Sequence, residues 1–141
     1  MTFRITIAIL ICLTISLAFC KTPTNLKFSI LKIDSTIKPT TISINDLAKD
    51  YKLYQGQYIE TSGRFIASFE NFSIMTESDS SKKWIQRFWL DPDKNLKIGK
   101  RSMDKMNGKT IKIKGMIDTT RRGHLSLYLA TITKIYSWEK E

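Results

Sequence analysis

Histidine and cysteine are almost missing from this chain: its 141 residues hold one His and two Cys. Cys12 lies inside an apolar N-terminal run, so whatever folds beyond that run has only Cys20, and no intramolecular disulfide can staple it. Structural zinc sites draw four ligands from Cys and His, and here no His, Cys and Asp fall at metal-ligand spacing. Nucleophilic catalysis lacks its partners as well: Ser126 has no nucleophile-elbow context, and His124 follows Gly123 at a turn. Asp91 and Asp93 bracket Pro92 in what reads as a strand-ending turn, and Glu60 alternates outward beside Thr61, so neither supplies a buried acid–base pair. None of the six glycines stands in a phosphate-loop or dinucleotide pattern. The expectation is a non-enzymatic domain with no catalytic residue, metal or cofactor.

Long hydrophobic runs are scarce too. Arg4 precedes one from Ile5 to Phe19, broken by little more than Thr6, Thr14 and Ser16 and closed by Lys21. A spanning helix needs about 20 apolar residues, so residues 1–19 read as a signal peptide. Leu17-Ala18-Phe19-Cys20 resembles the lipobox of bacterial lipoproteins. That resemblance implies acylation of Cys20, which would anchor the protein to a membrane on its extracytoplasmic side, periplasmic or cell-surface. Phe19 departs from the small residue usual before the cysteine. Ser16-Leu17-Ala18 offers an ordinary signal peptidase a site after Ala18, and that cut would give a secreted, soluble protein.

Residues 20–27, with Pro23 among polar neighbours, read as a lipid-anchored tether, and 28–141 as a single domain. Its charge is lopsided. Residues 20–81 carry seven Lys/Arg and seven Asp/Glu, whereas 82–141 carry fifteen and six. An excess of that sign draws anionic polymers, lipid headgroups or acidic proteins, unless it is only a solvated surface.

Phe28 to Ile33 reads as a short strand. Ser43 and Asp46 then form a capping-box-like pair before Ile44, Leu47, Ala48 and Tyr51, whose spacing predicts a helix over 44–53. Beyond it the period shortens to two. Strands are expected at Tyr58–Ser68, Phe72–Thr76, Trp84–Leu90, Thr110–Asp118 and Leu125–Trp138, the last long enough to need a bulge, with one or two helical turns in the Lys97–Met106 connector. Gly56, Ile59 and Gly63 recur as Gly108, Ile111 and Gly115 with identical spacing, as expected where two strands coil sharply to close a small barrel.

Five strands in the order three, connector, two, with those glycines, resemble the OB-fold, and the whole resembles small bacterial extracytoplasmic lipoproteins that carry such a barrel. The resemblance implies a mainly β chain, a five-stranded OB-fold-like barrel after one short helix, and is nearly silent on function. Two readings follow. In one the barrel is an interaction module of the cell envelope with a basic face, Arg87, Lys112, Lys114, Arg121 and Arg122, and outward aromatics Trp89 and Tyr128, for an anionic polymer, headgroup or envelope protein. Nucleic acid is not the expected ligand of an exported domain. In the other the barrel is a structural or assembly component of an envelope complex.

Overall fold

A computed structural model describes residues 27–28, 36–76 and 86–141. Residues 1–26, with the expected signal segment, Cys20 and most of the expected tether, lie outside it, as do 29–35 and 77–85, with most of the strand expected at Phe28 to Ile33 and the start of the one expected at Trp84–Leu90. In chain order come β1 (Lys27–Phe28), β2 (Thr40–Thr41), α1 (Ile44–Asp50) running into a 3-10 turn (Tyr51–Tyr54), β3 (Tyr58–Ser68), β4 (Asn71–Met75), β5 (Arg87–Pro92), α2 (Lys100–Met106), β6 (Thr110–Asp118) and β7 (Thr131–Lys140). The Ser43 side chain caps α1 by accepting from the Asp46 amide, and Ile44, Leu47 and Ala48 turn into the core.

Alternation builds the rest. Ile59, Thr61, Gly63 and Phe65 of β3 and Ile111, Ile113, Gly115 and Ile117 of β6 are the buried set. β3 pairs antiparallel with β4 and β6, β4 with β5, and β6 with β7, and a parallel β5–β7 ladder completes the circuit. The protein is mainly β, a closed five-stranded barrel with OB-type connectivity after one short helix. Inside, the Trp138 ring meets Phe65 edge-on at 5.0 Å and lies over Phe72 at 5.8 Å, while its indole N–H points at the Met106 sulfur of α2. Burial of each such large apolar side chain stabilises the fold by about 1.5–3 kcal/mol.

The repeated glycines meet across one ladder. Ile59 stands opposite Gly115 and Gly63 opposite Ile111, so each glycine faces an isoleucine of the other strand across the ladder. The likeness extends past the strands. Gly56 and Gly108, both with positive φ, donate to the carbonyls of Ile117 and Phe65. The residue before each glycine also crosses: the Gln55 side chain accepts from the Thr119 amide, and the Asn107 side chain from the Ala67 amide. Helical turn, amide residue, glycine and strand thus recur about a pseudo-twofold axis through the β3–β6 ladder, with the two helical turns at opposite ends.

Two expected boundaries move. The third strand continues through Asp91 and Pro92, where Pro92 sits at an irregularity of the parallel ladder that does not require its missing N–H. The fifth starts at Thr131, not Leu125, because Gly123, Leu125 and Ser126 have φ of 63°, 52° and 57°, a cluster of positive φ that breaks the extended backbone a strand ladder needs. The bulge lies further on, at Lys134 (φ 48°), facing the Gly115 step of β6.

A Cβ at Gly63 would stand 2.8 Å from the Met75 carbonyl oxygen, and one at Gly115 2.9 Å from Ile132 and 3.0 Å from the Thr133 carbonyl. Gly63→Val and Gly115→Val should each lower stability by about 1–3 kcal/mol in urea titrations. Gly99→Ser, where nothing lies within 4 Å, should leave the midpoint unchanged.

Candidate functional site

The outer face of β4 and β5 is covered by the chain itself. Trp89 points outward from β5 opposite Ser73 of β4, and the segment linking β6 to β7 packs onto it. Tyr128 meets the Trp89 ring edge-on at 5.1 Å, and Gly123 lies so flat on both that a Cβ there would be 2.6 Å from Trp89 and 2.8 Å from Tyr128. Trp89 is half-buried and Tyr128 only 5% exposed. The expected outward aromatics are together, but they pack on each other, and Tyr128 is not an outward contact: the loop carrying it leaves the strand and folds back. Its hydroxyl faces the Asn71 side-chain oxygen at 3.3 Å, which also accepts from Ser73, and the Glu70 carbonyl at 3.4 Å. These contacts join the β3–β4 turn to the β6–β7 loop.

Sequence spacing gathers Lys112, Lys114, Arg121 and Arg122 near a single acid, Asp118; register brings in four more carboxylates. Lys112 pairs with Glu141 at 3.1 Å and Lys114 with Glu60 at 2.7 Å, while Glu139 stands opposite Lys112. Arg121 meets Asp91 at 2.7 Å, and Asp91 also accepts from Thr133. Hydrogen bonds to Glu141 and Glu60 raise the affinity of Lys112 and Lys114 for their protons, and the Ser62 hydroxyl, with Lys112, holds the Glu141 carboxyl below its usual range. Such partly exposed pairs add little to stability because solvent screens them, yet they cancel much of the outward field of β6.

Arg87 and Arg122 differ: among the described residues no carboxylate lies within ion-pair distance of either. Arg122 is exposed, and its Nε donates to the Tyr128 carbonyl, closing the loop over Gly123. Arg87 sits on β5 with its carbonyl accepting from Leu129.

Three residues absent from the expected site stand out beside these. Phe69, Leu125 and Leu127 are 92%, 73% and 74% exposed, on the two segments that Tyr128 joins. The two leucines looked like strand residues because alternating apolar positions suit a strand as well as a loop whose tip faces outward. Only Gly123, at a φ that favours glycine, hinted otherwise. Among the described residues no group of three His, Cys, Asp or Glu could hold a metal ion.

No protein-family model and no curated protein matches the chain. Among solved structures it is similar, over 80% of its length, to a crystal structure provisionally described as an aspartyl-tRNA synthetase from Leishmania major Friedlin. Identity is 10%, the TM-score 0.42, and the chain spans 24% of that protein. A likeness of that depth establishes neither shared family nor shared function.

Gly123→Ala places a methyl into Trp89 on a left-handed backbone, so the loop should lift. Trypsin should then cut after Arg121 or Arg122 at least ten times faster, with amide protection in β3 and β6 unchanged. Burial, opposed by Arg87, raises the Tyr128 phenol above its ordinary 10.0. The folded protein therefore keeps this proton at pH values where the unfolded chain has lost it, and stability falls as pH climbs from 10 towards the raised value. Tyr128→Phe should shrink that alkaline fall in denaturant titrations, with Tyr136, raised by its own burial, accounting for part of the remainder.

Proposed function

We propose that the protein is a non-enzymatic interaction module of the bacterial cell envelope, exported and anchored by a lipid on Cys20. It recognises its anionic or protein partner at the barrel end where the β3–β4 turn meets the β6–β7 loop. One observation carries the choice of surface. The two cations of the expected basic face that no described carboxylate neutralises, Arg87 and Arg122, belong to the same loop-covered region that exposes Phe69, Leu125 and Leu127, whereas Lys112, Lys114 and Arg121 are already ion-paired. The lipobox-like Leu17-Ala18-Phe19-Cys20 supports the anchor.

The test is binding of the detergent-extracted protein to a purified anionic polysaccharide across a salt series. Arg87→Glu with Arg122→Glu should reduce affinity at least tenfold at low salt, and Lys112→Glu with Lys114→Glu should change it less than threefold. The opposite ranking would move the recognition surface to β6. Binding that survives moderate salt in wild type and both variants would favour an assembly role through apolar contact. In parallel, Cys20→Ser should release the protein from the membrane fraction; a wild type that is itself soluble would remove the lipid anchor from the reading.

A further inference from the structure

We infer that Phe69, Leu125 and Leu127 form a membrane-docking tip that enters the headgroup layer of an anionic phospholipid bilayer, with Arg122 placed to meet lipid phosphates. The inference rests on the reading above that this barrel end is the recognition surface of a membrane-held domain, and it names the partner.

Three large apolar side chains exposed on two adjoining loops are unusual for a surface that meets only water. They are held there. Leu125 and Ser126 keep a left-handed backbone that non-glycine residues rarely adopt, and bonds on either side fix it: Leu127 donates to the His124 carbonyl, Arg122 to the Tyr128 carbonyl. The loop buries Tyr128 and leaves its leucines outside. Glu70 brings in the other loop, through its carbonyl facing the Tyr128 hydroxyl and its carboxylate 3.7 Å from the His124 ring, so Phe69 and Leu125 each adjoin one member of a contacting pair.

Charge decides between a lipid and a protein occupant. Arg121 and Arg122 precede the leucines and Arg87 lies beneath the loop; of the described acids nearby, Asp91 pairs with Arg121, the Asp118 carboxylate accepts from Thr120 and Glu70 faces His124, which leaves Arg87 and Arg122 as cations without an ion pair. An anionic headgroup layer complements that balance. Protruding tips of three apolar side chains are also small against the roughly 800 Å² that each partner contributes to a stable protein interface. Interfacial insertion, by contrast, needs only apolar tips beneath a basic rim.

The experiment uses the full chain with Cys12→Ser and Cys20→Ser and one new cysteine at a time, Phe69→Cys, Leu125→Cys, Leu127→Cys or Lys140→Cys, each carrying an environment-sensitive fluorophore. Lys140 is exposed at the far end of β7. On vesicles containing phosphatidylglycerol the probes at 69, 125 and 127 should shift to the blue and be quenched at least twofold by lipid-borne quenchers, with the probe at 140 unaffected. Pure phosphatidylcholine vesicles should give at most a third of that response. Vesicle-bound protein whose three tip probes stay as hydrated as the one at 140 would overturn the tip while leaving a membrane-held module intact. Equal responses on both vesicle types would overturn the anionic requirement, and no binding to either would overturn the lipid partner. Cys20 acylation is tested separately by release of Cys20→Ser from membranes, so the two failures are distinguishable.

Discussion

Barrel closure depends on the two points where a glycine of one strand lets a neighbouring strand approach closely, Gly63 opposite Ile111 and Gly115 opposite Ile59. A five-stranded barrel is narrow, and its strands must coil hard enough that some positions have no room for a Cβ. At Gly63 the crowding comes from β4, at Gly115 from β7, so the β3–β6 ladder is pressed from opposite sides by the strands that complete the circuit. Between the two glycines Thr61 faces Ile113, and its hydroxyl is the one buried side-chain polar atom without a hydrogen-bond partner among the described residues. Ile74 stands against Gly63, and Ile132 and Ile135 against Gly115, while Phe65, Phe72 and Trp138 close the interior beside them.

The same registers that close the barrel also settle its electrostatics. Glu60 opposite Lys114 and Glu139 opposite Lys112 place acids from two neighbouring strands on a row of lysines. From composition the C-terminal half is strongly basic; in three dimensions part of that excess is matched by acids distant in sequence. Of the cations on the expected basic face, those left without an ion pair among the described residues are Arg87 and Arg122 at the loop, and Arg122 has the Tyr128 carbonyl for a partner.

Much of the barrel was legible because β3 and β6 alternate cleanly and are punctuated by glycine; their limits, Tyr58–Ser68 and Thr110–Asp118, fall where the pattern places them. The helix was legible from Ser43 and Asp46, although its last turn tightens to 3-10 geometry from Tyr51. The β6–β7 loop was not. Leu125, Leu127 and Leu129 keep a period of two, and nothing local to them reveals that the backbone at Leu125 and Ser126 is left-handed; that is imposed by Tyr128 and Gly123 packing on Trp89, a contact across many residues. The candidate surface was missed for the same reason, while Arg87, Arg122 and Trp89 were found because their chemistry is visible in any conformation.

The twofold relation between the two helix–glycine–strand units bears on how the chain reaches this structure. Each unit is local, a helical turn delivering its strand through a tight glycine, and each can take shape before the other is present. Their joining is not local: Ile59 must find Gly115 and Trp89 must find Thr131, pairings separated by 56 and 42 residues. Contacts of such high order make assembly slow, on the millisecond-to-second scale of barrels rather than the microseconds of helical bundles. A chain that emerges from the ribosome N-terminus first would complete its first unit early and hold the β3 edge unpaired until the second arrives, an interval in which exposed strand edges invite association.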